Sequence, residues 1–149
     1  MATTGLPACG VYLLELRVAK PVTVSVGRLG EVRLETGMYL YVGSAQRNLP
    51  ARVRRHFACE KRIRWHIDYL TTHPAVDVIG AATWERSREW ECRLGRVLVA
   101  HGAAAEAVAG FGASDCHCRT HLFRVLLSDW RASLIEPLGE CAFIANVQR

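Results

Sequence analysis

The chain opens on strand patterning. In GVYLLELRV (10–18), Val11 and Leu13 alternate with Tyr12 and Leu14, and Leu16 and Val18 continue the Leu14 phase, the period of two of an extended segment. VTVSVG, just after Pro21, is rich in β-branched residues and predicts a second strand, joined to the first around Ala19-Lys20 as a hairpin. Gly27 and Gly30 mark a turn, EVRLE reads as a short strand, and MYLYVG, bounded by Gly37 and Gly43, as another. The period then changes. Leu49, Val53 and Phe57 form one helical stripe, with Asn48 placed to cap it and Pro50 tolerated in its first turn. A second short helix is expected in WHIDYLTTH, ending near Pro74, followed by a buried strand in VDVIGAATW (76–84) interrupted at Gly80.

Further on, Trp90, Leu94, Val97, Leu98 and His101 share a helix face that Ser87 would cap and Gly102 would stop. GAAAEAVAGFGASDCHCRTHLF reads as a small-residue loop leading into a cysteine–histidine knot, and HLFRVLL predicts one more strand. No clear period runs from Ser128 onward. The sum is an α+β fold, a small and mainly antiparallel sheet flanked by helices, in one domain over 1–149 with 128–149 as a C-terminal extension of undefined structure.

Composition narrows the setting. Half of the 149 residues are apolar and 22% are charged, as in ordinary globular proteins. No apolar run approaches the roughly 18 residues that a membrane span needs. MATTGLPACG has neither the basic nor the apolar segment of a signal peptide, so a cytoplasmic location is expected. Six cysteines (9, 59, 92, 116, 118, 141) then read as reduced thiols rather than a disulfide set.

Charge changes the picture more. The net charge is +5, and seventeen of the nineteen basic residues are arginine. That bias reflects either genomic base composition or a use for the planar guanidinium fork, which matches phosphate better than an ammonium does. The distribution favours the second. Arg47, Arg52, Arg54, Arg55, His56, Lys61, Arg62 and Arg64 crowd one stretch with only Glu60 opposing them, a density that suits a polyanion better than a merely solvated face. Arg52 flanks the Leu49/Val53/Phe57 stripe, so it can turn back toward the end of the YVG strand. There an arginine would stabilise developing charge while a tyrosine hydroxyl relays a proton.

GVY (10–12), YVG (41–43), the arginine within NLPARVRRHF and a later helix-borne glutamate together resemble the GIY-YIG nuclease superfamily. YVGSA (41–45), KRIRWHIDYL (61–70), WECRL (90–94) and GFGASDCHCRTHL (110–122) point to its Uri-like branch, and the resemblance spans roughly residues 8 to 125. It implies a metal-dependent endonuclease in which one divalent ion, Mg²⁺ or Mn²⁺, is held by a glutamate. Two tyrosines and an arginine then serve in-line hydrolysis of a phosphodiester, in DNA ahead of RNA. Carried residue by residue, Tyr12 and Tyr41 match the motif tyrosines, Arg52 the helix arginine and Glu91 the metal ligand. His56, one turn beyond Arg52, joins them as a candidate for phosphate or proton contact. Arg47, Arg54, Arg55, Lys61, Arg62, Arg64 and His66 are the candidate nucleic-acid contacts. In the adjoining WHID, Trp65 and Ile67 read as packing, whereas Asp68 shares with His66 the chance of reaching substrate.

Glu91 also stands out unaided. It lies at i, i+3, i+7 with Leu94 and Leu98, at the border of a buried face where a lone carboxylate is costly without a cation. Glu89 is off that stripe. The late asparagine of other branches has no obvious counterpart, Asp115 and Ser114 being the nearest residues.

Two other readings compete with the nuclease. One is a non-catalytic nucleic-acid-binding module that keeps the scaffold and the basic face. The other is a zinc-stabilised interaction domain, with Cys116, Cys118 and His121 as ligands and Cys92 or His117 as the fourth. Against zinc stands the C-x-C spacing, shorter than the usual two-residue gap, which leaves small buried thiols as the simpler explanation.

Overall fold

The computed structural model describes residues 5–113 and 116–147. In chain order the elements are β1 (Gly10–Val18), β2 (Val22–Val26), β3 (Gly30–Leu34), β4 (Gly37–Ala45), α1 (Leu49–Phe57) and α2 (His66–Thr71). They continue with β5 (Val76–Trp84), α3 (Trp90–Ala100), β6 (Ala104–Glu106), β7 (Leu122–Val125), α4 (Ala132–Leu138) and β8 (Ala142–Ala145). The fold is α+β. Six strands form one antiparallel sheet in the order β6-β7-β4-β1-β5-β8, and β2 and β3 form a separate two-stranded antiparallel ribbon.

β1 is apolar in both phases because both of its faces are covered. Tyr12, Leu14 and Leu16 pack with Tyr39 and Tyr41 against Leu49, Val53 and Phe57 of α1, Ile67 and Leu70 of α2, and the β2–β3 ribbon. Val11 and Leu13 pack with Leu40 and Val42 on the opposite face, against Leu94 and Leu98 of α3 and Leu134 and Leu138 of α4. Strands buried on both sides lose the polar alternation of a half-exposed sheet.

Several local expectations change. β1 does not form a hairpin with β2: its two edges are taken by β4 and β5, and β2 pairs with β3 instead. Alternation marks a strand but does not name its partner. Gly80 does not break β5; it pairs with Glu15 at a bulge, after which Leu16 pairs with Val78. The Ser87 hydroxyl makes no cap for α3; its carbonyl accepts from the Trp90 N–H, and Glu89 is the cap residue without a side-chain bond. The small-residue stretch after Gly102 contains β6, and the tail supplies α4 and the edge strand β8. Among the described residues no helix is long and apolar enough to cross a membrane.

Candidate active site

Antiparallel pairing puts Tyr12 of β1 directly across from Gly43 of β4, and Leu14 across from Tyr41. Tyr12 and Tyr41 therefore project from the same face of neighbouring strands. The register also explains the glycine of YVG. A Cβ at Gly43 would lie 2.4 Å from the ring and hydroxyl of Tyr12, so a bare backbone lets that side chain cross the strand. Gly112, at φ +69°, performs the same service for Tyr41, whose ring a Cβ there would meet at 2.9 Å.

The other wall is α1. Asn48 adopts the left-handed conformation and accepts the Ala51 N–H on its side chain at 3.3 Å, starting the helix straight after the strand. The apolar stripe of Leu49, Val53 and Phe57 docks on the sheet, and this sets His56 and Arg52 over the tyrosines. His56 Nε2 lies 2.7 Å from the Tyr12 hydroxyl. Nδ1 has no partner among the described residues, so the contact with Tyr12 anchors the ring. Arg52 donates to the Ser44 carbonyl at 3.2 Å, and its guanidinium carbon stands 4.7 Å from the centre of the Trp65 ring.

Burial dominates the proton affinities. It pushes His56 down to about 3, with the nearby Lys61 charge acting in the same direction. It also raises Tyr12 far above an ordinary phenol, although the charge and hydrogen bond of Arg52 pull the other way. Tyr41 is raised for the same reason, helped by its neighbours Tyr12 and Glu91. At neutral pH the Tyr12–His56 pair is thus a neutral phenol in contact with a neutral imidazole.

Glu91 arrives from the opposite layer, on the first turn of α3. With Tyr12, Tyr41, Arg52 and His56 it lines a cleft of about 550 Å³, in which it is the single carboxylate among the described lining residues. Glu89 is exposed and pairs with Arg93 one turn along the same helix.

The basic stretch divides. Arg47, Arg52, Arg64 and His66 line the cleft, as does Arg88. Arg54 and Arg62 are exposed and do not line it. Arg55 has turned inward: it holds both carboxylate oxygens of the fully buried Asp68 at 2.9 and 3.0 Å. Lys61 donates to the Arg55 and His56 carbonyls at the end of α1, and burial lowers it to about 8. Asp68 also accepts the backbone N–H groups of Arg64 and Trp65, so its carboxylate ties up the start of α2 rather than facing substrate. Burial alone would raise that carboxyl, but Arg55 and the two N–H groups more than offset it and hold it below its usual range. His66 accepts the Gly112 N–H on Nδ1 at 2.9 Å, which fixes its tautomer and ties the late loop to the cleft.

Trp65 packs against the core, as its place in WHID predicts, and also lines the cleft, with the Arg52 and Arg55 guanidinium groups 4.7 and 4.4 Å from its ring centre. A half-buried tryptophan beside alternating arginines is the signal that could have found the second role.

Next to Glu91, which lines a second pocket with three of them, Cys92, Cys116, Cys118 and His121 converge, their ligand atoms all within 4.8 Å of one another. Cys92, not the exposed His117, is the fourth member. Ser114 and Asp115 lie outside the described residues.

A family model described as Domain of unknown function DUF123 matches residues 11–140. The chain belongs to this family. The DUF123 span takes in the lining residues of the cleft from Tyr12 to Gly112 and all four members of the cysteine–histidine cluster, and stops before β8. Neither the comparison with curated proteins nor that with solved structures finds a match.

Proposed function

We propose that this DUF123 protein is a GIY-YIG-type endonuclease of the Uri-like kind, hydrolysing phosphodiester bonds in nucleic acid, DNA ahead of RNA, in the cytoplasm. One observation carries the reading. Five side chains from three separate parts of the chain, Tyr12, Tyr41, Arg52, His56 and Glu91, meet in one cleft.

The donor set fits a Mg²⁺ or Mn²⁺ cofactor. Such hard ions keep several waters and are held by one or two carboxylates together with substrate phosphate, and Glu91 supplies one carboxylate among neutral and cationic neighbours. When bound, the ion would stabilise negative charge on the phosphate and the leaving oxygen.

The chain's own residues do the rest. A water oxygen bonds to phosphorus as the opposite P–O bond breaks in line, and the leaving oxygen departs with that bond's electron pair and takes a proton from solvent. The water's proton passes to the Tyr12 hydroxyl while the phenol's own proton moves across the 2.7 Å contact to His56 Nε2. A seated phosphodiester brings negative charge to His56, which favours the imidazolium that this transfer creates. Arg52, steadied by the Ser44 carbonyl and the Trp65 face, meets the charge that grows on phosphorus. Arg47, Arg64 and Arg88 draw the polyanion into the cleft.

Labelled single- and double-stranded DNA and RNA, incubated with Mg²⁺, Mn²⁺ or EDTA, test this. Metal-dependent cutting of at least one substrate is expected. Salt-sensitive binding with no cutting under any condition would hand the cleft to the binding-module reading.

A further inference from the structure

We propose that Cys92, Cys116, Cys118 and His121 form a structural zinc site that pins the first turn of α3 to the loop preceding β7. This site adjoins the cleft at Glu91, which lines both, but does not depend on the nuclease reading.

Geometry is the first argument. With Zn–S near 2.3 Å and Zn–N near 2.0 Å, tetrahedral ligands sit about 3.8 Å apart for two sulfurs and about 3.6 Å apart for sulfur and nitrogen. His121 Nε2 lies 3.4 Å from Cys116 Sγ and 3.9 Å from Cys92 Sγ, bracketing that spacing, and the whole set falls within 4.8 Å. An ion at the centre therefore requires only small side-chain adjustments.

Donor chemistry is the second. Three thiols and one imidazole are soft to borderline ligands that select zinc over Mg²⁺ or Ca²⁺, and four protein ligands close the coordination sphere as structural sites do. A disulfide is a poorer account, because any pairing of three cysteines leaves one thiol over.

Topology is the third. Between β6 and β7, from Ala107 to His121, the described residues form no helix or strand. Loops of this length are uncommon in compact domains, and a bound metal is one way to order such a segment. Its described backbone ties include Gly110 N–H to the Arg119 carbonyl and His121 N–H to the Phe111 carbonyl. The same segment positions Gly112 against Tyr41 and His66, while Cys92 is the next residue after Glu91. A zinc ion would lock together the helix and the loop that enter the cleft from the α3 side.

The test is metal content of the full chain purified under reducing conditions, followed by cobalt replacement. About one zinc per chain is expected, and the cobalt form should show thiolate charge-transfer bands and the intense visible bands of tetrahedral coordination. Cys92→Ser and Cys118→Ser should each weaken zinc binding by more than the roughly tenfold to hundredfold that loss of an outer-sphere partner costs. His117→Ala and Cys59→Ser should keep full metal, since His117 is outside the cluster and Cys59 is an exposed thiol elsewhere. Should the ligand variants fail to fold, the cobalt spectrum of the wild-type chain decides alone. A wild-type chain that takes up no zinc under reductant, shows no tetrahedral cobalt spectrum, or holds two of these cysteines as a disulfide overturns the proposal. So does unchanged zinc content in Cys92→Ser. None of these readouts involves cleavage, so failure here leaves the nuclease reading standing, and the reverse.

Discussion

Glu91 and Cys92 are neighbours on α3, yet they face opposite chemistries. Glu91 looks into a cleft of phenols, imidazoles and guanidinium groups, where the charged partners suit phosphate and hard oxygen ligands. Cys92 looks into a knot of thiols with one imidazole, which suits a soft, closed site. The contrast teaches how a small domain divides its labour. One helix turn carries both the carboxylate, which the proposed nuclease would hold open to substrate, and the cysteine, which the proposed zinc site would staple to the loop before β7. The same division runs through the basic stretch: Arg52 and Arg64 line the cleft, whereas Arg55 is spent on Asp68.

The comparison breaks most readily at the Tyr12–His56 contact. Tyr12→Phe deletes the relay and should slow single-turnover cleavage by roughly a thousandfold, within the usual range for a positioned acid–base group. It also leaves His56 Nε2 buried without its partner, so a stability loss of about 1–3 kcal/mol should accompany it in denaturant unfolding. Near wild-type cleavage in this variant would remove Tyr12 from the chemistry.

Arg52 and Arg55 sharpen the contrast. Arg52→Lys keeps the charge but loses the planar fork, so turnover should fall by on the order of a hundredfold while binding and melting temperature barely move. Arg55→Ala should do the reverse. It strips the buried Asp68 carboxylate of its cation and should cost about 3 kcal/mol of stability, with cleavage by the folded fraction little changed. Swapped phenotypes would mean that the structural and the functional arginine have been misassigned.

These assignments show where the sequence was legible. β1, β4 and α1 announce themselves through alternation, a stripe and a cap, and they happen to carry Tyr12, Tyr41, Arg52 and His56, so the cleft could be read almost from local pattern. What failed was pairing and the weak elements. The predicted β1–β2 hairpin gave way because β4 and β5 compete for the same edges over nine-residue strands. β6 is only Ala104–Glu106 and carries too little side chain to show a period. Asp68 and Arg55 looked like substrate contacts because one-dimensional charge spacing cannot distinguish a bidentate internal pair from a free basic face. The choice between Cys92 and His117 was equally invisible, since it depends on where α3 lies relative to a loop some two dozen residues later.

Acid stability offers a smaller and independent test of the buried pair. His56 takes up a proton near 6.5 when unfolded but only at about 3 in the fold. Between those values the unfolded chain binds more protons, so the stability is fully present above about pH 6.5. It is lost as pH falls, at up to about 1.4 kcal/mol per pH unit for one such group. Asp68, held below its ordinary 3.8, adds acid sensitivity only around and below that value, so of the two it is His56 that shapes the slope above it. Denaturant unfolding of His56→Gln from pH 6.5 down to about 4 should show a flatter slope than wild type. An identical slope would mean that His56 is solvated enough to protonate in the fold.

The smallest effect belongs to the rim. Arg64→Gln should weaken nucleic-acid binding only modestly and reduce the slope of log affinity against log salt by about one. The exposed Arg54, outside the cleft, should change that slope less. Equal effects at both positions would describe a diffuse basic surface rather than a cleft that guides the substrate.

The central claim is that Glu91 makes this cleft a metal-dependent hydrolytic site. Single-turnover cleavage of a labelled substrate by wild type, Glu91→Ala and Glu89→Ala, each with Mg²⁺ or Mn²⁺ and with EDTA, tests it most directly. Wild type and Glu89→Ala should cut with metal and stop with EDTA. Glu91→Ala should not cut at all, yet should bind as well as wild type or slightly better, since a negative charge beside phosphate is gone. Equal loss in both well-folded variants, or full activity in Glu91→Ala, would contradict the account.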